Sequence, residues 1–274
     1  MRKIAFTLFL LCVVAVITDA QPRFRRKAQK EQEKTQHIEA VYSTASPEIL
    51  IIHKGFNVSY NEDLLIPNWV AYELTAEEAS ATIASRTDEF LPDPDLVSIK
   101  ARQADSRDYS NSGYDRGHMA AAADMKWDLQ AMVESFYMTN TVPQDRQLNG
   151  GLWLELEQKC RYWAKKYGRV WIVCGPVFFE DEFTTIGSNG VAVPDMLFKC
   201  VCMQIDGRWT MAAFAFPNTD CKGNLSSYIF PVIAIESTTG CEYFNNIPLP
   251  AQDLKKLKFN LQNNDWVIPG WKAK

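Results

Sequence analysis

The sequence predicts an α+β domain. Three observations carry that reading: strand-like segments open the folded region, two amphipathic helices occupy its middle, and strand-like segments then return, one pair joined by Asp206-Gly207. The regular strand–helix alternation of a doubly wound parallel sheet is missing. The chain of 274 residues has an ordinary globular balance, 47% hydrophobic and 23% charged, with a formal net charge of −4. That balance excludes wholesale disorder and excludes a protein held to a polyanion by bulk charge, although the total is blind to a local basic groove.

The N-terminus reads as a targeting segment. Arg2 and Lys3 precede the apolar run Ile4 to Ile17, and Thr18-Asp19-Ala20 supplies a small-residue cleavage site. This is the pattern of a secretory signal peptide over residues 1–20, and the run falls short of the ~20 residues that span a membrane. The expectation is an exported protein, periplasmic or secreted, with no stable membrane association after signal removal. Residues 21–40 form a polar leader with a basic cluster at Arg23, Arg25, Arg26 and Lys27, and residues 41–274 form a single folded domain.

Within that domain Ile49 to His53, Phe56 to Tyr60 and Trp69 to Leu74 read as strands. Thr75, followed three residues later by Glu78, marks a helix start of the capping-box type. Ser98 to Gly113 is irregular. Leu129, Met132, Val133, Phe136 and Tyr137 form the apolar stripe of a helix over Trp127 to Met138, closed by Pro143. Leu152, Leu156, Cys160, Trp163 and Tyr167 mark a second helix ending near Gly168. Val170 to Cys174 reads as a strand stopped at Gly175-Pro176, and Leu197 to Ile205 and Trp209 to Phe216 flank the Asp206-Gly207 hairpin turn. Six cysteines remain outside the signal segment: Cys160, Cys174, Cys200, Cys202, Cys221 and Cys241. In an exported chain they predict disulfides of undetermined pairing. Their spacing lacks the paired knuckles of a thiolate zinc cluster.

Two segments could carry chemistry. His118 follows Asp115-Arg116-Gly117, where glycine permits close backbone approach, and only His37 and His53 accompany it in the sequence. Imidazole is the side chain that ordinarily titrates nearest neutral pH, and of the three His118 has the best setting for that role. Asn149, Trp153, Glu157 and Arg161 recur every fourth residue, so a helix starting near Asn149 displays an amide, a carboxylate and a guanidinium on one face. Asn149 and Glu157 would then stand ~12 Å apart along the axis, too far to clamp one ion by direct contacts alone. On spacing alone the helix could equally carry a Glu157–Arg161 ion pair beside a capping asparagine.

The run from Asp108 to Asp124 around Tyr114-Asp115-Arg116-Gly117-His118 resembles the signature of the DNA/RNA non-specific endonucleases, built around a ββα metal finger. The likeness continues through Phe136 to Gln144, then Leu148-Asn149-Gly150-Gly151-Leu152-Trp153 and Leu156-Glu157. It implies a ββα-metal finger fold with a central antiparallel sheet flanked by helices. It also implies a magnesium-dependent enzyme, manganese substituting, that cleaves DNA and RNA without sequence preference to 5′-phosphate and 3′-hydroxyl ends. By position, His118 matches the general base, Asn149 the direct magnesium ligand, and Glu157 the acid that holds water on the metal. Arg102 and Arg161 resemble phosphate-holding arginines, Arg116 a further active-site arginine, Asn140 an active-site asparagine, and Asp115 a residue supporting the site. Ala121 stands where many relatives carry proline. The alternatives are an exported non-catalytic nucleic-acid-binding protein and a phosphoesterase acting on another substrate; a homodimer is compatible with either.

Overall fold

The computed structural model describes residues 41–42, 47–180 and 182–259. The expected signal segment and polar leader, and the tail tryptophans Trp266 and Trp271, lie outside the described residues. The described residues fall within one unit, Ala40–Lys274.

The opening elements are β1 (Val41–Tyr42), β2 (Ile49–Ile52), β3 (Asn57–Asn61) and β4 (Ile66–Thr75), followed by the short helices α1 (Ala76–Ser80) and α2 (Pro94–Ile99). Then come β5 (Tyr114–His118), α3 (Leu129–Glu134), β6 (Thr141–Asp145), the single turn α4 (Arg146–Leu148) and the long helix α5 (Leu154–Tyr167). Strands return as β7 (Arg169–Val177), β8 (Thr185–Ile186), β9 (Val191–Ala192), β10 (Met196–Ile205), β11 (Arg208–Pro217) and β12 (Ile229–Phe230). The last elements are α6 (Val232–Thr239), β13 (Glu242–Tyr243) and α7 (Ala251–Phe259).

Seven strands form one sheet in the order β12-β11-β10-β7-β4-β3-β2, every pair antiparallel. The fold is α+β, as the sequence predicts. Asp206 and Gly207 both take positive φ, 49° and 77°, which is the geometry the tight β10–β11 hairpin requires. Thr75 caps α1 in a reciprocal capping box with Glu78, although the helix runs only to Ser80. Gly168 ends α5 at φ 94°.

Strong burial on both faces sandwiches the sheet. One face carries the core of Val58, Tyr72, Ile172, Val201 and Phe214 against Leu156, Cys160 and Trp163 of α5. The opposite face carries Trp69, Val173, Cys200, Cys202 and Ala213 with Val232 and Ile235 of α6 and Leu254 of α7. Successive residues of a strand point to opposite faces, so Cys200 and Cys202 share the second core while Val201 joins the first. The cysteines correct one expectation: all six described ones are free thiols, five of them buried. Cys160 and Cys174 belong to one core and Cys200, Cys202 and Cys241 to the other, so the sheet itself separates the two groups.

Two prolines read as breaks lie inside strands. Pro143 sits in β6, and β7 continues through Gly175-Pro176 to Val177. The pairing with β4 stops at Val70 opposite Cys174, while β10 pairs on to Val177. Beyond Cys174 the strand therefore has one neighbour, and a proline that cannot donate is tolerated at such an edge.

Candidate active site

β5 and β6 form a separate two-stranded antiparallel ribbon, with His118 opposite Thr141 and Gly117 opposite Val142. α4 and α5 follow directly, giving a ββα unit that lies against the α5 side of the sheet. Gly117 is required by space: a Cβ there would stand 2.2 Å from Gln144 Oε1 and 2.5 Å from Gln144 Cβ. The close approach read from the sequence is thus an approach to the β6 side chain.

Helical structure begins at Asp145, not at Asn149. The Asp145 carboxylate accepts from the Gln147 and Leu148 amides at 2.9 and 3.1 Å. Residues Asn149–Trp153 form a wider π-type turn with non-helical backbone at Gly151, and the regular helix resumes at Leu154. This irregularity changes the face displayed. Trp153, expected beside Asn149 and Glu157, is fully buried; its indole N–H donates to the His118 carbonyl at 3.2 Å. Asn149 and Glu157 nonetheless line the same hollow.

That hollow, about 490 Å³, is walled by His118, Asn149, Glu157, Asp115 and the arginines Arg86, Arg116 and Arg146. The His118 ring packs against Phe90 at 5.0 Å and Phe136 at 4.8 Å between centroids. Its Nε2 is sealed from solvent without a protein partner, and the side chain lines the cavity. Burial first, then the Arg86 and Arg116 charges, lower its pKa to about 3. The imidazole is therefore neutral and able to accept a proton.

Asn149 is held by Asp115: its Nδ2 donates to Asp115 Oδ2 at 3.1 Å, and Arg146 Nε donates to Asp115 Oδ1 at 3.1 Å. The amide oxygen of Asn149 is thereby oriented while remaining unengaged by any described residue. Glu157 lines the same cavity, where burial outweighs the opposing pull of Lys199 and raises its pKa to about 7. Arg116 donates to Ser106 Oγ at 2.6 Å and lies 4.7 Å over the Phe90 ring, and Arg86 lies 5.0 Å over Phe136 and pairs with Asp88.

Arg102, Asn140 and Arg161 do not line the cavity. Arg102 is exposed, its Nη2 3.5 Å from the Asn189 carbonyl. Asn140 is buried; its Oδ1 accepts from the Ala120 amide at 2.8 Å, and its Nδ2 donates to the Ala120 and Ser135 carbonyls at 2.9 and 2.8 Å. Arg161 Nη1 donates to Asp124 Oδ1 at 2.6 Å, and the other Asp124 oxygen accepts from Tyr72 at 2.9 Å. Sequence reasoning missed Arg86 and Arg146. Arg86 lies in a segment without periodicity. Arg146 follows the helix cap Asp145, a signal that was present in the sequence.

Among the described residues no group of three or more His, Cys, Asp or Glu side chains converges on one point. The donors that do meet here, an amide oxygen and a carboxylate, are hard oxygens. They suit a cation that keeps most of its water shell.

The family model for DNA/RNA non-specific endonucleases matches residues 33–249. The chain is 33% identical over 201 residues to a mitochondrial nuclease EXOG of Danio rerio, covering 68% of this chain and 58% of that protein. It is 34% identical over 209 residues to the mitochondrial nuclease of Saccharomyces cerevisiae (69% and 63%), and 31% identical to human mitochondrial endonuclease G (69% and 67%). The chain thus spans about three fifths of the length of the first two of these relatives. Among solved structures, an EndoG/EndoGI complex superposes with a TM-score of 0.68 at 28% identity, covering 75% of this chain and 94% of that one. These relatives overturn the expected periplasmic or secreted location, because each is a mitochondrial nuclease. The export reading rested on Arg2 and Lys3 before the apolar run Ile4 to Ile17 and on the small-residue site at Thr18-Asp19-Ala20. On the match over residues 33–249, the chain belongs to the DNA/RNA non-specific endonuclease family.

Proposed function

We propose that the protein is a magnesium-dependent, sequence-non-specific endonuclease acting on DNA and RNA, leaving 5′-phosphate and 3′-hydroxyl ends. The observation that carries the reading is the shared cavity: one neutral imidazole, one oriented amide oxygen, one half-buried carboxylate and three arginines line the same space. The His118 imidazole accepts the proton of the attacking water. Arg86, Arg116 and Arg146 offer planar, multiple-donor contacts to the phosphate oxygens. An anionic phosphate placed among them offsets the positive field that depresses the His118 pKa, so the imidazole gains basicity when substrate arrives. Asn149 Oδ1 is the group that would hold magnesium, with manganese able to replace it, and Glu157 would assist it through water. When bound, the cation offsets negative charge on the phosphate and the leaving oxygen. Asp115 supports the site by orienting Asn149, and Asn140 positions the chain after His118.

Contacts to phosphate do not distinguish bases, and the chemistry makes no use of the 2′-hydroxyl. Digestion of supercoiled plasmid and of single-stranded RNA in magnesium, with and without chelator, tests the reading. Cleavage of both substrates, stopped by chelator and restored by magnesium, is the expected result. His118→Ala should lose about 10²–10⁴-fold in rate. Retention of plasmid without cutting would replace the enzyme by a binding protein.

A further inference from the structure

The cavity does not end at Arg86. A second hollow of about 380 Å³ shares Arg86, Ala122 and Ala123 with the first, so the two adjoin and Arg86 lines both. Its floor is apolar, made by Ala84, Ala122 and Met132, all buried. Its rim carries the hydroxyls of Thr82 and Ser85 and the side chain of Lys126.

Lys126 is half-buried, and its backbone is fixed where the Ala84 amide donates to its carbonyl at 2.9 Å. No described carboxylate pairs with its ammonium. The acids nearest in sequence are engaged elsewhere: Asp124 with Arg161 and Tyr72, and Asp128 with Lys54 at 2.6 Å and the amides that start α3. Asp88 pairs with Arg86, but that pair is exposed and solvent-screened, so a phosphate can compete for the guanidinium.

We propose that this hollow is a second phosphate subsite, in which Lys126 binds the phosphodiester adjacent, along the same strand, to the one held at His118. The proposal rests on the nuclease reading and deepens it by naming the substrate as a strand with at least two consecutive phosphodiesters. An ammonium on the rim of a hollow without a described carboxylate partner suits an anion, and a nucleic acid supplies one at every nucleotide. The hydroxyls of Thr82 and Ser85 are neutral donors of the kind that hold backbone phosphates. Arg86, which lines both hollows, can serve either phosphate. The apolar floor accepts a sugar or base face without reading base edges, so the subsite adds affinity and leaves sequence preference unchanged.

The test compares the full-length parent with Lys126→Ala and Lys126→Arg on two substrates: a single-stranded oligonucleotide, and a nitrophenyl ester of thymidine 5′-phosphate that holds one phosphodiester. Lys126→Ala should raise KM for the oligonucleotide about tenfold, as expected for one lost charge-assisted contact, with kcat unchanged. The slope of log affinity against log salt, measured in a His118→Ala background, should shrink by about 0.7 for one lost phosphate contact on a single strand. Lys126→Arg should restore both, and the single-phosphodiester ester should be cleaved equally by all three. If the parent cuts the oligonucleotide while Lys126→Ala matches it in KM and salt slope, the subsite is overturned and the nuclease reading stands. Equal losses on both substrates would also overturn it, by showing a general effect on the fold. A parent that cuts neither substrate removes the nuclease reading and the subsite together.

Discussion

The indole Nε1 of Trp153 donates to the main-chain carbonyl of His118 at 3.2 Å, tying the irregular turn that carries Asn149 to the end of the strand that carries the imidazole. The next residues are held in the same way. The Met119 carbonyl accepts from Lys199 Nζ at 3.1 Å, and Asn140 bonds both the amide and the carbonyl of Ala120. Lys199 also lies 4.5 Å over the Trp153 ring. The imidazole therefore projects from a backbone fixed at three consecutive positions. Trp153→Phe keeps the ring over Lys199 but strands the His118 carbonyl, a loss of about 1–3 kcal/mol. Denaturant melts should show that loss, and kcat should fall further than KM rises, because the imidazole is displaced while the arginines are untouched.

Asn149 depends on its neighbour. With Asp115 accepting from Nδ2 at 3.1 Å, Asn149→Asp would set two carboxylates face to face, and Asn149→Ala would remove the oxygen donor altogether. Both variants should need more magnesium for half-maximal rate than the parent, and neither should regain the parental maximum. A magnesium titration of cleavage reads this directly; a curve superposable on the parent's would take the ligand role from Asn149.

The fold was legible wherever local chemistry dictated local structure. Asp206-Gly207 has the conformational freedom a tight hairpin needs, Thr75 and Glu78 cap each other, and the spacing of Leu156, Cys160 and Trp163 marks the buried stripe of α5. The ββα unit was legible through resemblance, since Asp115 to His118 is short and its pairing with β6 is a tertiary event. What stayed hidden depended on distant parts of the chain. Arg86 reaches the cavity by stacking on Phe136, fifty residues on, and nothing in its own segment announces this. Trp153 fell on the displayed face of an ideal helix, but the π-type turn rotates it into the core. Pro176 looked like a stop because the point where β7 loses its pairing with β4 is a property of the sheet.

The pH profile should belong to Glu157. In the substrate-free site His118, with a pKa of about 3, is neutral near pH 7, so it sets no limb near neutrality in kcat/KM. Glu157 has a pKa of about 7 in the metal-free site, and cleavage should rise as pH climbs through that value. A bound cation favours the carboxylate, so the midpoint should move to lower pH as magnesium is raised. Glu157→Gln should abolish the limb along with most of the activity. The same shift acts on stability. Because the folded-state pKa is raised, the contribution is present below the ordinary carboxyl value of 4.5 and is lost as pH rises through about 7. In metal-free buffer Glu157→Gln should therefore melt higher than the parent above pH 7 and show no such advantage in acid.

Thiol chemistry offers an independent check on the two-faced core. With six free cysteines among the described residues, five of them buried, Cys221 is the one described thiol open to a reagent in the native state. Reductant should leave the melting temperature unchanged, and alkylation should label Cys221 quickly and the others only on unfolding. A loss of stability on reduction would reveal a disulfide.

Arg161 distinguishes a structural from a phosphate-binding arginine. Its guanidinium lies 2.6 Å from Asp124, whose side chain is fully buried and whose other oxygen is taken by Tyr72. Removing the arginine alone leaves an uncompensated buried carboxylate, and breaking such a pair from one side costs about 3–5 kcal/mol. Arg161→Met should therefore destabilise the protein by that amount in denaturant unfolding. Asp124→Asn with Arg161→Met should recover part of the loss, because the double variant leaves no unpaired charge. If Arg161 contacts only Asp124, kcat/KM measured well below the melting range should fall far less than in Arg116→Met or Arg86→Met. A drop in kcat/KM equal to theirs, without the stability loss, would return Arg161 to the phosphate.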